Sequence, residues 1–137
     1  MPLVVVGSVA LDSIETPKET RENILGGSAV YFSCAASFFT PVRLVGVVGG
    51  DWPAEHTRLL ESRGVNVDGL QVDPEGKTFH WRGRYMENMN DRETVDVQLN
   101  TLAGFDPKLP EECRRAPFLF LANGSTEIQR LIRSLAL

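Results

Sequence analysis

Three short, uninterrupted apolar runs constrain this chain most: Leu3-Val4-Val5-Val6, Leu44 to Val48, and Phe118-Leu119-Phe120-Leu121. A strand that is apolar at every position must be covered on both faces, as in a parallel sheet with helices above and below it. The stretches between these runs supply helices. Ser28 to Phe39 is apolar nearly all round, with Ala29, Ala35 and Ala36 allowing close neighbours, so it reads as a buried helix. Asp51 is placed to cap a second helix that has Pro53 in its first turn and Gly64 as its stop. In the last helix Ile128, Leu131, Ile132 and Leu135 follow the i, i+3, i+4, i+7 rule, and Thr126 with Gln129 can form a capping box. Val65-Asn66-Val67 and Leu70-Gln71-Val72 give two short strand signals around Asp68-Gly69. The expected class is α/β.

From Thr78 the period changes to two. Phe79, Trp81, Gly83 and Tyr85 alternate with His80, Arg82, Arg84 and Met86, and after the polar turn "ENMND" Val95, Val97 and Leu99 alternate with polar neighbours. This is an antiparallel hairpin with one apolar face, inserted in a βαβ chain and therefore expected to stand off the main sheet. Residues 15–23, "ETPKETREN", form a charged excursion that suits either a surface loop or a short polar strand pair. No internal repeat appears. With 137 residues the chain is expected to be one domain unit, 1–137.

Composition excludes several classes. A net charge of -4 offers no basic footprint for nucleic acid and no polybasic membrane patch. The opening "MPLVVVGSVALD" lacks a positive n-region and is broken by Gly7, Ser8 and Asp12, so neither a signal peptide nor a membrane span is expected. Cys34 and Cys113 are far apart, without C-x-x-C or a histidine at ligand spacing, which fits two reduced thiols in a cytoplasmic protein. No metal ligands are assigned. Asn123-Gly124-Ser125 matches a sequon formally, but without a secretory signal it reads as a turn.

Two nucleotide loops are absent. Gly76-Lys77-Thr78 lacks the glycine spacing of a P-loop and is followed by a period-two strand, where a phosphate cradle needs a helix. The first strand is followed by "GSVALD", with one glycine, so no dinucleotide fingerprint stands there either. What remains is a constellation. Gly7 and Asp12 lie just beyond the carboxyl end of the first strand, where open α/β sheets bind ligands, and Gly26-Gly27 opens a helix. Glycines let a backbone approach a ligand closely, helix amides can donate to hydroxyls or an anion, and an aspartate can accept from hydroxyls. These parts suit a polyol better than a phosphate. Read blandly, the glycines are turns and Asp12 caps a solvated loop.

The strand followed by "GSVALD", then "GGSAVYFSCAA", "VGVVGGD" and "RGVNVDGL", resembles in order and spacing the N-terminal half of the PfkB (ribokinase-like) carbohydrate kinases, over essentially the whole chain. The resemblance implies a mostly parallel, Rossmann-like sheet flanked by helices, with 78–99 as a small antiparallel β lid. It implies that Asp12 binds sugar hydroxyls, that Gly26, Gly27 and Ser28 line the sugar pocket, and that Phe79 and Trp81 close over the substrate. Lid packing, or a homodimer formed through the lid, is the other reading of Phe79 and Trp81. Asn123 falls where the family often places another polar sugar contact; a turn residue before Gly124 is the alternative. Ribokinase itself carries a lysine and an asparagine where this chain has Ser28 and Tyr31, and an asparagine where it has Ala10. Another sugar, a sugar-like alcohol or a nucleoside therefore stays open as substrate. Asp51, in "VGGD", reads as a helix cap rather than a catalyst.

The family's second signature, a Gly-Ala-Gly-Asp stretch that supplies the catalytic base and the phosphate cradle, is absent, as is the acidic motif that helps position Mg²⁺. The expectation is a truncated kinase: an ATP- and Mg²⁺-dependent sugar kinase when complete, inactive as this chain alone, with no catalytic residue assigned here. The alternative is a non-catalytic half-domain that binds sugar or nucleoside and is completed by a partner chain.

Overall fold

The computed structural model describes residues 2–137 and contains two four-stranded sheets. The first has the order β5-β4-β1-β8, built from β1 (Leu3–Val6), β4 (Val42–Gly49), β5 (Val65–Asp73) and β8 (Phe118–Leu121). All of its pairings are parallel, with Val5 opposite Leu44 on one side and Phe120 on the other. The three apolar runs are thus its strands. Alternate side chains of β1 and β4 enter two separate cores, as continuous apolarity requires. The expectation of burial on both faces fails at the edge strand β8, whose Phe118 and Phe120 are exposed because the described residues leave that face largely open there. Val5, Leu44 and Val48 pack with Val30 of α1 (Ser28–Ala36) and Leu60 of α2 (Ala54–Ser62). Val4, Val6, Val45 and Val47 pack on the other face with Phe105, with Cys113 of the short α3 (Glu111–Arg114) and with Ile132 of α4 (Thr126–Leu135).

The second sheet has the order β3-β2-β6-β7, from β2 (Ala10–Glu15), β3 (Thr20–Gly26), β6 (Phe79–Tyr85) and β7 (Arg92–Gln98). The β6–β7 hairpin stands off the parallel sheet as expected. It is only half of the second sheet. The charged excursion is the tip of the antiparallel β2–β3 pair, and β2 joins β6 in parallel, with Asp12 opposite Trp81.

Local expectations needed four corrections. The first concerns the helix at Ser28, which ends at Ala36 and is buried only at Ala29, Val30 and Ser33. Tyr31, Phe38 and Phe39 are exposed, because the sheet covers one face of α1 and nothing among the described residues covers the other. Asp51 does not cap α2, whose N-cap is Pro53. Its Oδ1 instead accepts from the backbone N–H of Thr78 at 2.8 Å and from the Thr78 hydroxyl at 2.7 Å. Residues 65–73 form one continuous strand, since pairing to β4 carries it through Asp68-Gly69 with a register shift between Arg43 and Val45. The cap of α4 is Ser125, whose side chain accepts from Ile128 N–H, while Gln129 Nε2 reaches back to the Ala122 carbonyl.

Candidate functional site

Beyond Val6 the chain crosses from one sheet to the other through Gly7, Ser8 and Val9, and this crossing sets the floor of a cleft. Ser8 is buried and occupies the first turn of α1. Its Oγ accepts from the Ser28 N–H at 3.0 Å and lies 2.8 Å from the Ser28 hydroxyl, and its carbonyl accepts from the Ala29 N–H at 3.1 Å. The expectation that these helix amides serve a ligand is therefore corrected: those of Ser28 and Ala29 are satisfied inside the protein. The same contact explains the glycine. Gly27 has φ of 102° and ψ of 145°, and a Cβ there would strike the Ser8 carbonyl; that region of backbone space is essentially closed to other residues.

Asp12 lies on β2 with 8% of its surface exposed. A side chain on Gly26 would occupy the space of its carboxylate, so Gly26 lies beneath Asp12 rather than on the cleft wall. No donor among the described residues hydrogen-bonds to this carboxylate. Burial raises its pKa above the ordinary carboxylate value, and the positive charge of His80 pulls in the opposite direction. His80 itself sits on the other face of the sheet, with Nε2 3.0 Å from the Ser13 hydroxyl. A buried carboxylate without donors is costly unless something supplies them. A ligand with hydroxyl groups does so.

Above the carboxylate is a cleft of about 400 Å³ between the second sheet and the start of α1. It brings together six residues expected from the sequence, Asp12, Gly27, Ser28, Phe79, Trp81 and Asn123, and Gly26 is the one left off the wall. Sequence reasoning missed Ser8, Ile14, Tyr85 and Arg92 as lining residues, and named Ala10 and Tyr31 only as departures from ribokinase. Tyr85 was within reach of the period-two reading, being in phase with Phe79 and Trp81. Arg92 was not, because its place depends on cross-strand register, which sets it opposite Tyr85. Although much of the Tyr31 side chain is exposed, its hydroxyl faces the cleft, where partial desolvation and then the negative charge of Asp12 raise its pKa. A second, mainly apolar cavity of about 620 Å³ shares Ser8, Phe79 and Asn123 with the cleft and runs past Leu102 to Ile128 and Ile132. Among the described residues no three His, Cys, Asp or Glu side chains cluster as a group that could hold a metal ion. No helix is long and apolar enough to cross a membrane.

No family model matches the chain. It is 32% identical over 113 residues to a cytidine kinase of Thermococcus kodakarensis, an overlap covering 82% of this chain and 40% of that protein. The ribokinase of Cryptococcus neoformans, solved with ADP, superposes with a TM-score of 0.72 at 21% identity, over 98% of this chain and 44% of that one. The nucleoside kinase of Methanocaldococcus jannaschii, described as an archaeal member of the ribokinase family, gives 0.71 at 18% identity, over 92% and 46%. The chain thus spans less than half the length of these proteins. Its fold is ribokinase-like, and the likeness to the PfkB kinases read from the sequence holds in both comparisons.

Proposed function

We propose that residues 1–137 are the substrate-binding platform and lid of a ribokinase-like kinase that transfers the γ-phosphoryl group of ATP to a hydroxyl of a sugar or nucleoside. The observation that carries this reading is Asp12: a buried carboxylate, without donors from the protein, at the floor of a cleft roofed by aromatic side chains. It accepts hydrogen bonds from two neighbouring substrate hydroxyls and so fixes which hydroxyl points out of the cleft. Phe79, Trp81 and Tyr85 cover the apolar face of the substrate and exclude water, and Asn123 holds its far side. Positioning of this kind is a large part of phosphoryl-transfer catalysis. Mg²⁺, the base that takes the hydroxyl proton and the cradle for the phosphates belong to residues outside 1–137. The kinases that this chain resembles support ATP as phosphoryl donor.

Sheet completion fits this division of labour. The β8 edge is unpaired among the described strands, and its Phe118 and Phe120 are 57% and 37% exposed, an open apolar edge of the kind that pairs with further polypeptide. The second reading, a binding half-domain completed by a partner chain, rests on the same edge. The two free cysteines support placing the reaction in the reducing cytoplasm.

Calorimetric titration of residues 1–137 with cytidine and with D-ribose, alongside an ATP-turnover assay, tests the proposal. Binding of at least one ligand that is lost in Asp12→Ala, without turnover, is expected. Turnover by this chain alone would overturn the assignment of the chemistry to residues outside it, and binding unchanged in Asp12→Ala would remove the carboxylate from the site.

A further inference from the structure

We infer that Trp81 and Arg92 form a base-recognising end of the cleft, so that the substrate is a nucleoside rather than a free sugar. This rests on reading the cleft as the substrate site and names the substrate class.

The indole of Trp81 lies along its own strand, over Gly83, where any Cβ would collide with the ring. Its Nε1–H donates to the Thr94 hydroxyl at 3.3 Å. The ring is therefore held against the sheet with one face turned to the cleft, and the guanidinium carbon of Arg92 stands 5.8 Å from its centroid. That spacing is looser than direct contact. A base stacking on the indole at about 3.5 Å displaces the flexible arginine from over the ring to the edge of that base, into its plane. Stacking on the indole is sequence-tolerant, because every base has a π-face, and alanine substitution at such contacts is strongly felt.

The state of Arg92 carries the second part. Arg82 and Arg84 sit on the opposite face of the same hairpin, and both are engaged there, Arg82 by Glu15 and Glu22 and Arg84 by Glu15 and Glu93. Arg92 makes no ion pair or hydrogen bond among the described residues, and it is the cation of the cleft. Its fork of donors matches a pair of adjacent acceptors in one plane, such as the O2 and N3 of cytosine or the O6 and N7 of a hypoxanthine.

Distance selects a nucleoside over a sugar. Asp12 is on the rung of Trp81 and Arg92 on the rung of Tyr85, roughly 13 Å further along the strand at about 3.3 Å per residue. A pentose on Asp12 touches Trp81 beside it but leaves the Arg92 end of the cleft empty. A nucleoside, with its ribose hydroxyls on Asp12 and its base on the indole, fills both.

The test uses the full chain and three uncharged probes, cytidine, inosine and D-ribose, in calorimetric titrations. The expected result is binding of a nucleoside at least ten times tighter than D-ribose. Arg92→Met should weaken nucleoside binding by roughly 10–100-fold, the range of a hydrogen bond to a charged group, and leave D-ribose unchanged. Arg92→Lys should recover only part of the loss, since lysine lacks the fork. Trp81→Leu should weaken nucleosides more than D-ribose, since it removes the stacking surface of the base as well as part of the cover over the sugar. Equal affinity for D-ribose and the nucleosides, or unchanged nucleoside affinity in both Arg92→Met and Trp81→Leu, would overturn this inference and leave the sugar-binding role of Asp12 standing. If none of the three probes binds, the reading of the cleft falls with it.

Discussion

The two sheets of this molecule, one wholly parallel and one mixed, serve opposite ends. In the parallel sheet, Val5, Leu44, Val45 and Val48 are buried to the last atom and helices or packed loops cover both faces. In the second sheet, one face is sealed by charge, with Glu15 bridging Arg82 and Arg84. The other holds Asp12, Trp81 and Tyr85 around an open cleft, and Val95 and Val97 of β7 are about half exposed. The parallel sheet gains its stability from packing within the chain. The second sheet leaves apolar surface exposed and the Asp12 carboxylate without a donor from the described residues, which is the condition for a ligand to contribute something on binding. Stability and recognition are thus separated by sheet, although β1 and β2 are joined by only three residues, Gly7 to Val9.

The comparison breaks most readily in the core. Leu44→Ala should cost about 2–5 kcal/mol, because the site is closed on all sides and cannot collapse. Val97→Ala in the lid should stay within about 0.5 kcal/mol. Chemical denaturation measures both, and equal losses would end the claim that the two sheets differ in kind. Next comes the joint between them. Gly27→Ala places a side chain against the Ser8 carbonyl, at a backbone conformation costing about 1–3 kcal/mol; thermal unfolding reads the loss, and a wild-type melting temperature would refute the role given to Gly27.

Asp12→Asn should separate recognition from stability. Ligand affinity should fall at least tenfold, since each hydroxyl loses a charged acceptor worth roughly 1.5–3 kcal/mol. Stability should hold or rise, since the burial cost of a carboxylate is removed. A variant that binds normally but unfolds more easily would reverse the argument.

The smallest effects are those of pH, and they carry opposite signs for two carboxylates of one strand. The pKa of Asp12 is raised by burial, so its ionised form is disfavoured by folding. Its contribution to stability is largest below pH about 4 and declines as pH rises through the folded value. Ligand affinity runs the other way, falling as pH drops through that raised value, and the effect should vanish in Asp12→Asn. Glu15 has its pKa lowered, first by the hydrogen bond from Arg84. Its contribution is present above the ordinary glutamate value and is lost as pH falls through the lower folded one. Titrating affinity and melting temperature over the acid range should show both limbs, the Glu15 limb weakening with added salt.

Much of this was legible in the letters. Continuous apolarity in Leu3–Val6 and Phe118–Leu121 marked two strands of the parallel sheet, though only the first is covered on both faces, and the spacing of Ile128 and Ile132 marked one face of a helix. The alternation after Thr78 announced a separate sheet, and the glycine pair marked the place where backbones crowd. Less legible was everything whose partner lies far along the chain. Nothing local in "ETPKETREN" distinguishes a loop from the tip of a hairpin; that was decided when β2 found β6, a strand some seventy residues on. Asp51 before Pro53 looks like a cap, yet Thr78, 27 residues away, takes its oxygen. The amides of Ser28 and Ala29 look free for a ligand until Ser8, twenty residues earlier, is seen to hold them.

The sequence by itself determined which segments are strands and helices and which of their faces are apolar, because periodicity and steric preference act over neighbouring residues. It also placed Gly7 and Asp12 just beyond the carboxyl end of the first strand, since chain order alone puts them there. Only the tertiary structure decided that Asp12 is buried without donors, that Arg92 stands over Trp81 while Arg82 and Arg84 are paired away, and that Gly26 serves the carboxylate rather than the cleft. Those facts depend on register between distant strands. A shift of a single residue would carry Asp12 and Trp81 to the charged face.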